Sequence, residues 1–237
     1  MTDSPGAAKG VSSELADRLA LALDVDDLVE ASRLAKELKP WFGVVKVGLE
    51  LYSAVGPDAI GTMRNLGYDV FLDLKLHDIP TTVEKASRVV GSLGARYLTL
   101  HAQGGVPMLK AGCGGLAEGA AKAGLPEPIA LAVTVLTSDA DAPEHIVPKR
   151  VRVAAEAGCG GLVCAADDLK DAREFAPRLK RVVPGIRPDG APVDDQRRAA
   201  TPKAALDAGA DLLVIGRPIT RAEEPAAAAA SLASSLS

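Results

Sequence analysis

A short stretch in the first third of the chain brings two carboxylates close to one ammonium. Positions 71–80 read Phe-Leu-Asp-Leu-Lys-Leu-His-Asp-Ile-Pro, which places Lys75 between Asp73 and Asp78. The residues leading into it are largely apolar and predict a buried strand, in which an unpaired charge is costly. Because residues two apart on a strand face the same way, we expect Asp73 and Lys75 to point together.

Two interpretations fit this stretch. The three charges can form a structural ion-pair cluster. They can also form a catalytic Asp-Lys-Asp array, in which neighbouring carboxylates tune a lysine that acts as an acid or a base. The position at the end of a strand favours catalysis, and Asp78 would lie in the turn before a helix whose first turn accepts Pro80. An ammonium between the carboxylates takes the place of a cation, so we expect no metal.

Composition limits the class of protein. A hydrophobic fraction of 48% and a charged fraction of 24% are typical of a globular protein with an ample core. The net charge of -4 predicts no nucleic-acid partner, and no apolar run approaches the roughly 20 residues of a membrane span. The N-terminus lacks the layout of a signal peptide. The 3 cysteines form no C-x-x-C pair, which favours reduced thiols and a cytoplasmic location.

Short apolar strands alternate with helical stretches along the chain. The predicted strands are Leu19–Val25, Gly43–Val47, Asp69–Leu74, Tyr97–His101, Pro128–Val135, Gly161–Cys164, Arg181–Val183 and Asp211–Ile215. The clearest predicted helices are Asp27–Leu38, Pro80–Leu93, Val106–Ala123 and Pro148–Ala157, and a last helix is expected beyond Pro225. This alternation predicts an α/β fold, and eight strands in a chain of this length favour a single-domain (β/α)8 TIM barrel over a doubly wound sheet. We expect residues 1–17 to form a tail with a possible short helix, and residues 18–237 to form the catalytic barrel.

Polar residues at the carboxyl ends of barrel strands converge on one site. Such residues follow or end most of the predicted strands: Asp24, Lys46, Asp73 with Lys75, His101, Thr137 with Ser138, and Gly216 with Arg217. We therefore expect these side chains to meet at one rim of the barrel. Whether His101 has a direct chemical role stays open.

The segment after the last strand predicts a phosphate site. Gly216 allows backbone N–H groups to approach an oxyanion, and Arg217 can bind it bidentately. Barrels often bind phosphate in this region, although a plain surface turn is the alternative. Arg187 and Gln196 lie in the long irregular stretch 184–198, which is either a loop that closes over such a group or a disordered segment.

These motifs together resemble a known family. The stretch at 71–80, Val-Thr-Val-Leu-Thr-Ser at 133–138, Pro-Gly-Ile-Arg at 184–187, Asp-Gln-Arg-Arg at 195–198 and Ile-Gly-Arg-Pro at 215–218 are similar to those of the orotidine 5′-phosphate decarboxylases. The resemblance runs from about Leu21 to the C-terminus. The Asp-x-Lys-x-x-Asp array alone marks a broader suprafamily. Thr81 departs from the Asn common in the family, whereas Thr82 matches.

The resemblance implies an activity and catalytic roles. The chain would decarboxylate orotidine 5′-phosphate to uridine 5′-phosphate in de novo pyrimidine biosynthesis, with no metal or organic cofactor. Lys75 would give the proton to C6 after carbon dioxide leaves, with Asp73 near the substrate carboxylate. Asp78 would come from the partner subunit of a homodimer.

The resemblance also implies how the substrate is held. Its contacts would be Asp24, Lys46 and Thr82 at the ribose, Thr137 and Ser138 at the pyrimidine, and Arg187, Gln196, Gly216 and Arg217 at the phosphate. Thr82 would reach across the subunit interface.

Two other functions fit part of this residue pattern. Magnesium-dependent relatives, such as keto-gulonate-phosphate decarboxylase and hexulose-phosphate synthase, share the Asp-x-Lys-x-x-Asp strand but carry a glutamate near the end of strand two, where this chain has Lys46. A cation at that position disfavours a metal. A barrel that binds phosphate without catalysis has no need to bury the three charges of the array.

Overall fold

The computed structural model describes residues 10–136, 138–139, 142–188 and 198–236. Its parallel strands close into a barrel in sequence order, which confirms the predicted (β/α)8 TIM barrel. The strands are β1 (Leu19–Leu23), β2 (Val44–Val47), β3 (Asp69–Leu76), β4 (Tyr97–His101), β5 (Ile129–Val133), β6 (Gly161–Val163), β7 (Lys180–Val183) and β8 (Leu212–Ile215).

Helices surround the barrel and connect its strands. They are α1 (Ser13–Ala16), α2 (Leu28–Leu38), α3 (Leu49–Val55), α4 (Asp58–Asn65), α5 (Pro80–Leu93), α6 (Gly105–Lys122), α7 (Ile146–Glu156), α8 (Leu169–Phe175), α9 (Pro202–Asp207), α10 (Arg217–Thr220) and α11 (Pro225–Ser234). Within the described ranges, no helix combines the length and the apolar character needed to cross a membrane.

Local signals explain where several helices begin and end. Asp27 caps α2, because its carboxylate accepts a hydrogen bond from the N–H of Glu30 at 2.7 Å. α5 begins at Pro80, a position where a backbone N–H would have no acceptor within the helix. Gly94 ends the helix in the left-handed conformation with a φ of 83°. The predicted bounds of α5 are therefore confirmed at both ends.

Other predicted bounds shift by a few residues. β3 continues to Leu76 rather than ending at Leu74, and β5 ends at Val133 rather than Val135. α7 begins at Ile146, so Pro148 lies in its first turn, where proline is tolerated. The short helix expected near the N-terminus is α1, whereas residues 1–9 of the expected tail lie outside the described residues.

The barrel interior is an apolar layer to which every strand contributes. Its members are Ala20, Ala22, Val44, Phe71, Tyr97, Leu131, Val133, Val163, Val182, Leu212 and Val214. The alternate residues of the strands, such as Leu19 and Leu21, pack outward in a second cluster with the helices. This is the alternation expected of barrel strands that bury both faces.

The functional residues continue the inward rows of this layer. Two residues beyond Ala22, Val44, Phe71 and Tyr97 come Asp24, Lys46, Asp73 and Thr99, respectively. The apolar layer therefore fills the lower part of the barrel, and a polar layer follows it toward the carboxyl ends of the strands.

Glycines allow α5 and α6 to pack with their backbones in contact. A side chain at Gly115 would collide with the carbonyl oxygen of Glu84, and one at Gly119 would collide with that of Arg88. α5, the helix held in this way, starts two residues after Asp78.

We expect Gly115→Ala to lower the free energy of unfolding by about 1–3 kcal/mol, because the added methyl group forces the two helices apart. Gly114→Ala on the same helix is the control, since nothing lies within 4 Å of its added carbon. It should stabilise the protein by up to about 1 kcal/mol through helix propensity. Urea unfolding measures both values, and a Gly115→Ala protein as stable as the Gly114→Ala protein would contradict the packing described.

Candidate active site

A cavity opens at the carboxyl ends of the strands. Its lining brings together many of the residues singled out in the sequence: Asp24, Lys46, Asp73, Lys75, Arg187, Gly216 and Arg217. These residues come from both ends of the chain, and β1 and β8 meet through direct pairing as the barrel closes. The predicted convergence at one rim is confirmed for this set.

Four charges of alternating sign form a row along one side of the cavity. The ammonium of Lys46 lies 2.9 Å from Asp24 Oδ1 and 3.8 Å from Asp73 Oδ2. The ammonium of Lys75 donates to both oxygens of Asp73, at 2.9 and 2.8 Å. Each charge thus has an opposite neighbour, which offsets the cost of removing it from water.

Exposure differs along the row. The side chains of Lys46 and Asp73 are only 12% and 13% exposed, whereas those of Lys75 and Asp24 are 33% and 52% exposed. The two inner charges hold the row in place. The Lys75 ammonium and the Asp24 carboxylate face the cavity, where a ligand can reach them.

Gly48 leaves space for the first pair of this row. A β-carbon at Gly48 would lie 2.9 Å from the Lys46 ammonium and 3.3 Å from Asp24 Oδ1. A side chain there would displace the pair, so the glycine after β2 is part of the geometry of the site.

β3 departs from regular pairing where it carries the charged residues. It pairs with β4 through Leu72 and Leu98 and again through Leu76 and Leu100, with a shift of register between them. Lys75 has a φ of +50°, the only positive φ at a non-glycine residue in the described part of the chain. Asp73 and Lys75 do meet, as predicted, but on a bulged strand rather than a regular one.

Thr99 of β4 lies beside this bulge. Its hydroxyl accepts a hydrogen bond from the backbone N–H of Lys75 at 2.8 Å and donates one to Asp73 Oδ1 at 3.0 Å. The side chain is completely buried. Sequence reasoning missed this residue, although a lone hydroxyl in the apolar run Tyr97–His101 signals a buried group that needs partners.

Asp78 does not join the array within one chain. The ammonium of Lys75 pairs with Asp73, and no ion pair links it to Asp78, although the structure describes both residues. Asp78 is exposed, and its carboxylate accepts from the N–H of Ile79 at 2.6 Å. The expectation that Lys75 lies between two carboxylates is therefore wrong for a single protomer, because the chain turns outward after β3.

Other predicted contacts also lie away from the cavity. Thr82 on α5 and Ser138 after β5 are exposed and do not line it. Thr137 and Gln196 lie outside the described residues, so their predicted roles are untested.

The predicted phosphate residues Arg187, Gly216 and Arg217 all line the cavity, and a β-carbon at Gly216 would lie 3.6 Å from Asp24 Oδ2, next to the charged row. Arg217 begins α10 directly after Gly216, and Arg187 follows β7. Arg187 is only 8% exposed, and its N–H donates to the carbonyl of Ala200 at 2.9 Å. This bond and the bridge between Ile186 and Ala200 connect the start of the stretch 184–198 to Ala200, two residues beyond its end. Residues 189–197 of that stretch lie outside the described residues.

Apolar side chains form the rest of the cavity wall. They come from the inward rows of several strands and include Phe71, Val133, Val163 and Val214, with Val135 and Leu136 after β5. Sequence reasoning that considers only polar residues at the ends of the strands does not identify these apolar positions.

His101 lies outside the lining of the cavity. Its ring stacks on that of His77, with centroids 5.4 Å apart. Burial lowers the pKa of His101 below its ordinary value, and the neighbouring Arg150, His77 and Lys75 add to the effect. The imidazole is thus neutral at pH 7, with Nδ1 accepting from the N–H of Gln103 at 3.3 Å.

The donor set of the cavity suits ammonium groups rather than a metal ion. Within the described residues, no cluster of three or more His, Cys, Asp or Glu side chains is placed to hold a metal. The row contains two carboxylates, Asp24 and Asp73, and both contact the ammonium of Lys46.

Comparison with known proteins identifies the family. A family model described as "Orotidine 5'-phosphate decarboxylase / HUMPS family" matches residues 17–232. The orotidine 5′-phosphate decarboxylase of Anaeromyxobacter sp. (strain K) is 45% identical over 231 residues, which cover 93% of this chain and 98% of that protein. The enzyme of the same name from Thermobifida fusca is 46% identical over 234 residues, covering 94% and 97%.

A solved structure agrees with these sequences. The crystal structure of orotidine 5′-phosphate decarboxylase from Lactobacillus acidophilus superposes with a TM-score of 0.77 at 35% identity, covering 93% of this chain and 99% of that one. On this similarity of sequence and fold, the chain belongs to the orotidine 5′-phosphate decarboxylase / HUMPS family of enzymes.

Proposed function

We propose that this protein decarboxylates orotidine 5′-phosphate to uridine 5′-phosphate in pyrimidine biosynthesis, with Lys75 as proton donor and without a metal or an organic cofactor. The observation that carries the proposal is the position of the Lys75 ammonium. It donates hydrogen bonds to both oxygens of Asp73 in a cavity that Arg187 and Arg217 also line. Relatives that cover almost all of the chain bear the name of this enzyme.

The position of Lys46 separates this reaction from magnesium-dependent chemistry in the same suprafamily. Its ammonium contacts both Asp24 and Asp73, where a metal site would need a further carboxylate. The same two residues supply a donor and an acceptor suited to the hydroxyl groups of a ribose. Asp24, half exposed to the cavity, would accept from them.

The chemical step needs a fixed positive charge at the reacting carbon. When the bond between C6 and the carboxylate breaks, carbon dioxide leaves and an electron pair stays in an sp² orbital that the ring cannot delocalise. A preorganised ammonium is the natural stabiliser of that charge. The electron pair then takes a proton from Lys75, and the resulting amine is reprotonated from solvent.

Asp73 has two effects in this scheme. It holds the Lys75 ammonium in one position through two short contacts, which removes the need to reorganise during the reaction. Its negative charge would also repel a substrate carboxylate bound beside it. That repulsion is relieved as carbon dioxide leaves.

The phosphate lies far from the reacting carbon but contributes to the rate. Arg187 and Arg217 would bind it together with the backbone of Gly216, and all three residues line the cavity. Binding energy from such a remote group can fix the ring against Lys75 and thereby lower the barrier.

We also propose a homodimer in which Asp78 and Thr82 complete the active site of the partner. Both residues are exposed in one protomer and lie outside its own cavity. Ile79, between Asp78 and Pro80, has 66% of its surface exposed, as expected of an apolar residue that a second subunit covers. The predicted cytoplasmic location stays a prediction.

An assay with metal removed tests the reaction. Purified protein treated with a chelator should consume orotidine 5′-phosphate, seen as loss of its absorbance, and form uridine 5′-phosphate. Turnover that appears only after magnesium is restored, or only with a sugar phosphate, would contradict the proposal. Tight binding of the nucleotide without turnover would also contradict it.

We expect Lys75→Ala to reduce turnover by at least about 10³-fold, because the variant lacks both the stabilising charge and the proton. Lys203→Ala is the control, since the Lys203 side chain is 72% exposed on α9 and its ammonium pairs with Asp207. Steady-state rates and circular dichroism of the two variants provide the comparison. A folded Lys75→Ala protein with near-normal activity would rule out the role given to Lys75.

Mixing two inactive variants tests the shared site. Lys75→Ala and Asp78→Ala should each be inactive alone. If Asp78 acts on the partner's site, subunit exchange gives heterodimers with one intact site, and the mixture should recover about a quarter of the wild-type activity. Each variant exchanged with itself is the control, and a mixture as inactive as the controls would place Asp78 elsewhere.

A further inference from the structure

We propose that Thr99 is a positioning residue for Lys75: its buried hydroxyl holds the bulge of β3 in the conformation that presents the ammonium to the reacting carbon. The proposal rests on the proposed function for its catalytic consequence. Its structural basis is the irregular pairing of β3 with β4.

The bulge has a defined size. Leu72 pairs with Leu98 and Leu76 pairs with Leu100, so residues 73–75 of β3 lie opposite Thr99 alone. Regular parallel strands pair one residue with one residue. The additional residues on β3 are even in number, so Leu76 keeps the outward orientation of Leu72 and the barrel core is undisturbed.

A bulge of this kind leaves backbone groups without ladder partners. The N–H of Lys75 is such a group, and it donates to Thr99 Oγ1 at 2.8 Å. The side chain of the residue opposite the bulge thus replaces a missing backbone acceptor.

The same hydroxyl acts on the partner of the ammonium. An ionised carboxylate only accepts hydrogen bonds, so Thr99 Oγ1 must donate its single proton to Asp73 Oδ1, at 3.0 Å. Thr99 Oγ1 therefore links the backbone N–H of Lys75 to the Asp73 carboxylate, which in turn pairs with the Lys75 ammonium. Because Thr99 is completely buried, water does not compete for either bond.

The conformation held in this way is strained. Lys75 has a φ of +50°, which lies in the left-handed region that residues other than glycine adopt only at a cost in free energy. Such residues persist where surrounding contacts fix them, and they concentrate at functional sites. The two bonds of Thr99 and the two contacts of the ammonium to Asp73 are the contacts that fix Lys75.

Three substitutions separate positioning from general stability. Thr99→Val keeps the shape and removes the hydroxyl, whereas Thr99→Ser keeps the hydroxyl. Thr134→Val is the matched control, because Thr134 is also fully buried and does not line the cavity. Its hydroxyl donates to the backbone carbonyl of Val163 at 3.0 Å and contacts none of the charged residues of the row, all of which the structure describes. If the Thr99→Val protein does not fold, the Thr99→Ala protein takes its place in the measurements.

Thr99→Val should lower kcat about 10- to 100-fold, the loss expected when a charged group loses a buried hydrogen bond. KM should change less than about threefold, since the ribose and phosphate contacts are untouched. Thr99→Ser and Thr134→Val should keep kcat within about threefold of the wild-type value. A wild-type kcat for Thr99→Val, or an equal loss in Thr134→Val, would overturn the proposal.

A crystal structure of Thr99→Val supplies a readout that does not depend on the reaction. We expect the φ of Lys75 to leave the left-handed region, or its ammonium to leave Asp73. A bulge and contacts identical to those of the wild-type protein would overturn the positioning role, whatever the assay shows. Failure of the wild-type protein to consume orotidine 5′-phosphate would instead refute the proposed function alone.

Discussion

The alternating row of Asp24, Lys46, Asp73 and Lys75 is the interaction on which the site depends. Charges inside a barrel are tolerated only when each has an opposite partner within contact distance. Lys46 and Asp73, which water hardly reaches, meet this condition on both sides, because each contacts two members of the row. The removal of Lys46 would leave Asp24 unpaired, and the removal of Asp73 would leave Lys75 unpaired, so each outer charge keeps its partner only while its inner neighbour is present.

The fold provides this row at little cost to its core. The lower inward positions of the strands are apolar, and the polar residues begin one inward position higher. The site is therefore an extension of the core pattern rather than an interruption of it. The barrel brings the row, the apolar wall and the two arginines to one cavity, although they are distant in sequence.

Much of this arrangement follows from sequence alone. Apolar runs gave the strands, and the proline at the start and the glycine after the end of α5 fixed its bounds. The rule that polar strand ends converge placed Lys46, Asp73 and Arg217 together. Each of these inferences uses information that is local in the chain.

What could not be predicted depends on pairing between distant segments. The bulge at Lys75 arises from the register between β3 and β4, and the role of Thr99 is visible only once that register is known. The outward position of Asp78 is a similar case. Its separation of three residues from Lys75 suggested contact, but the chain turns away after the strand, and within the described residues of one protomer Lys75 pairs with Asp73 alone.

A crystal structure with uridine 5′-phosphate bound tests the central claim most directly, because it measures the distance between the Lys75 ammonium and C6 of the pyrimidine. We expect that distance to be about 3–3.5 Å, as for groups poised to react, with the phosphate at Arg187 and Arg217. A pyrimidine bound with C6 pointing away from Lys75, and more than about 5 Å from its ammonium, would contradict the role of this lysine as proton donor.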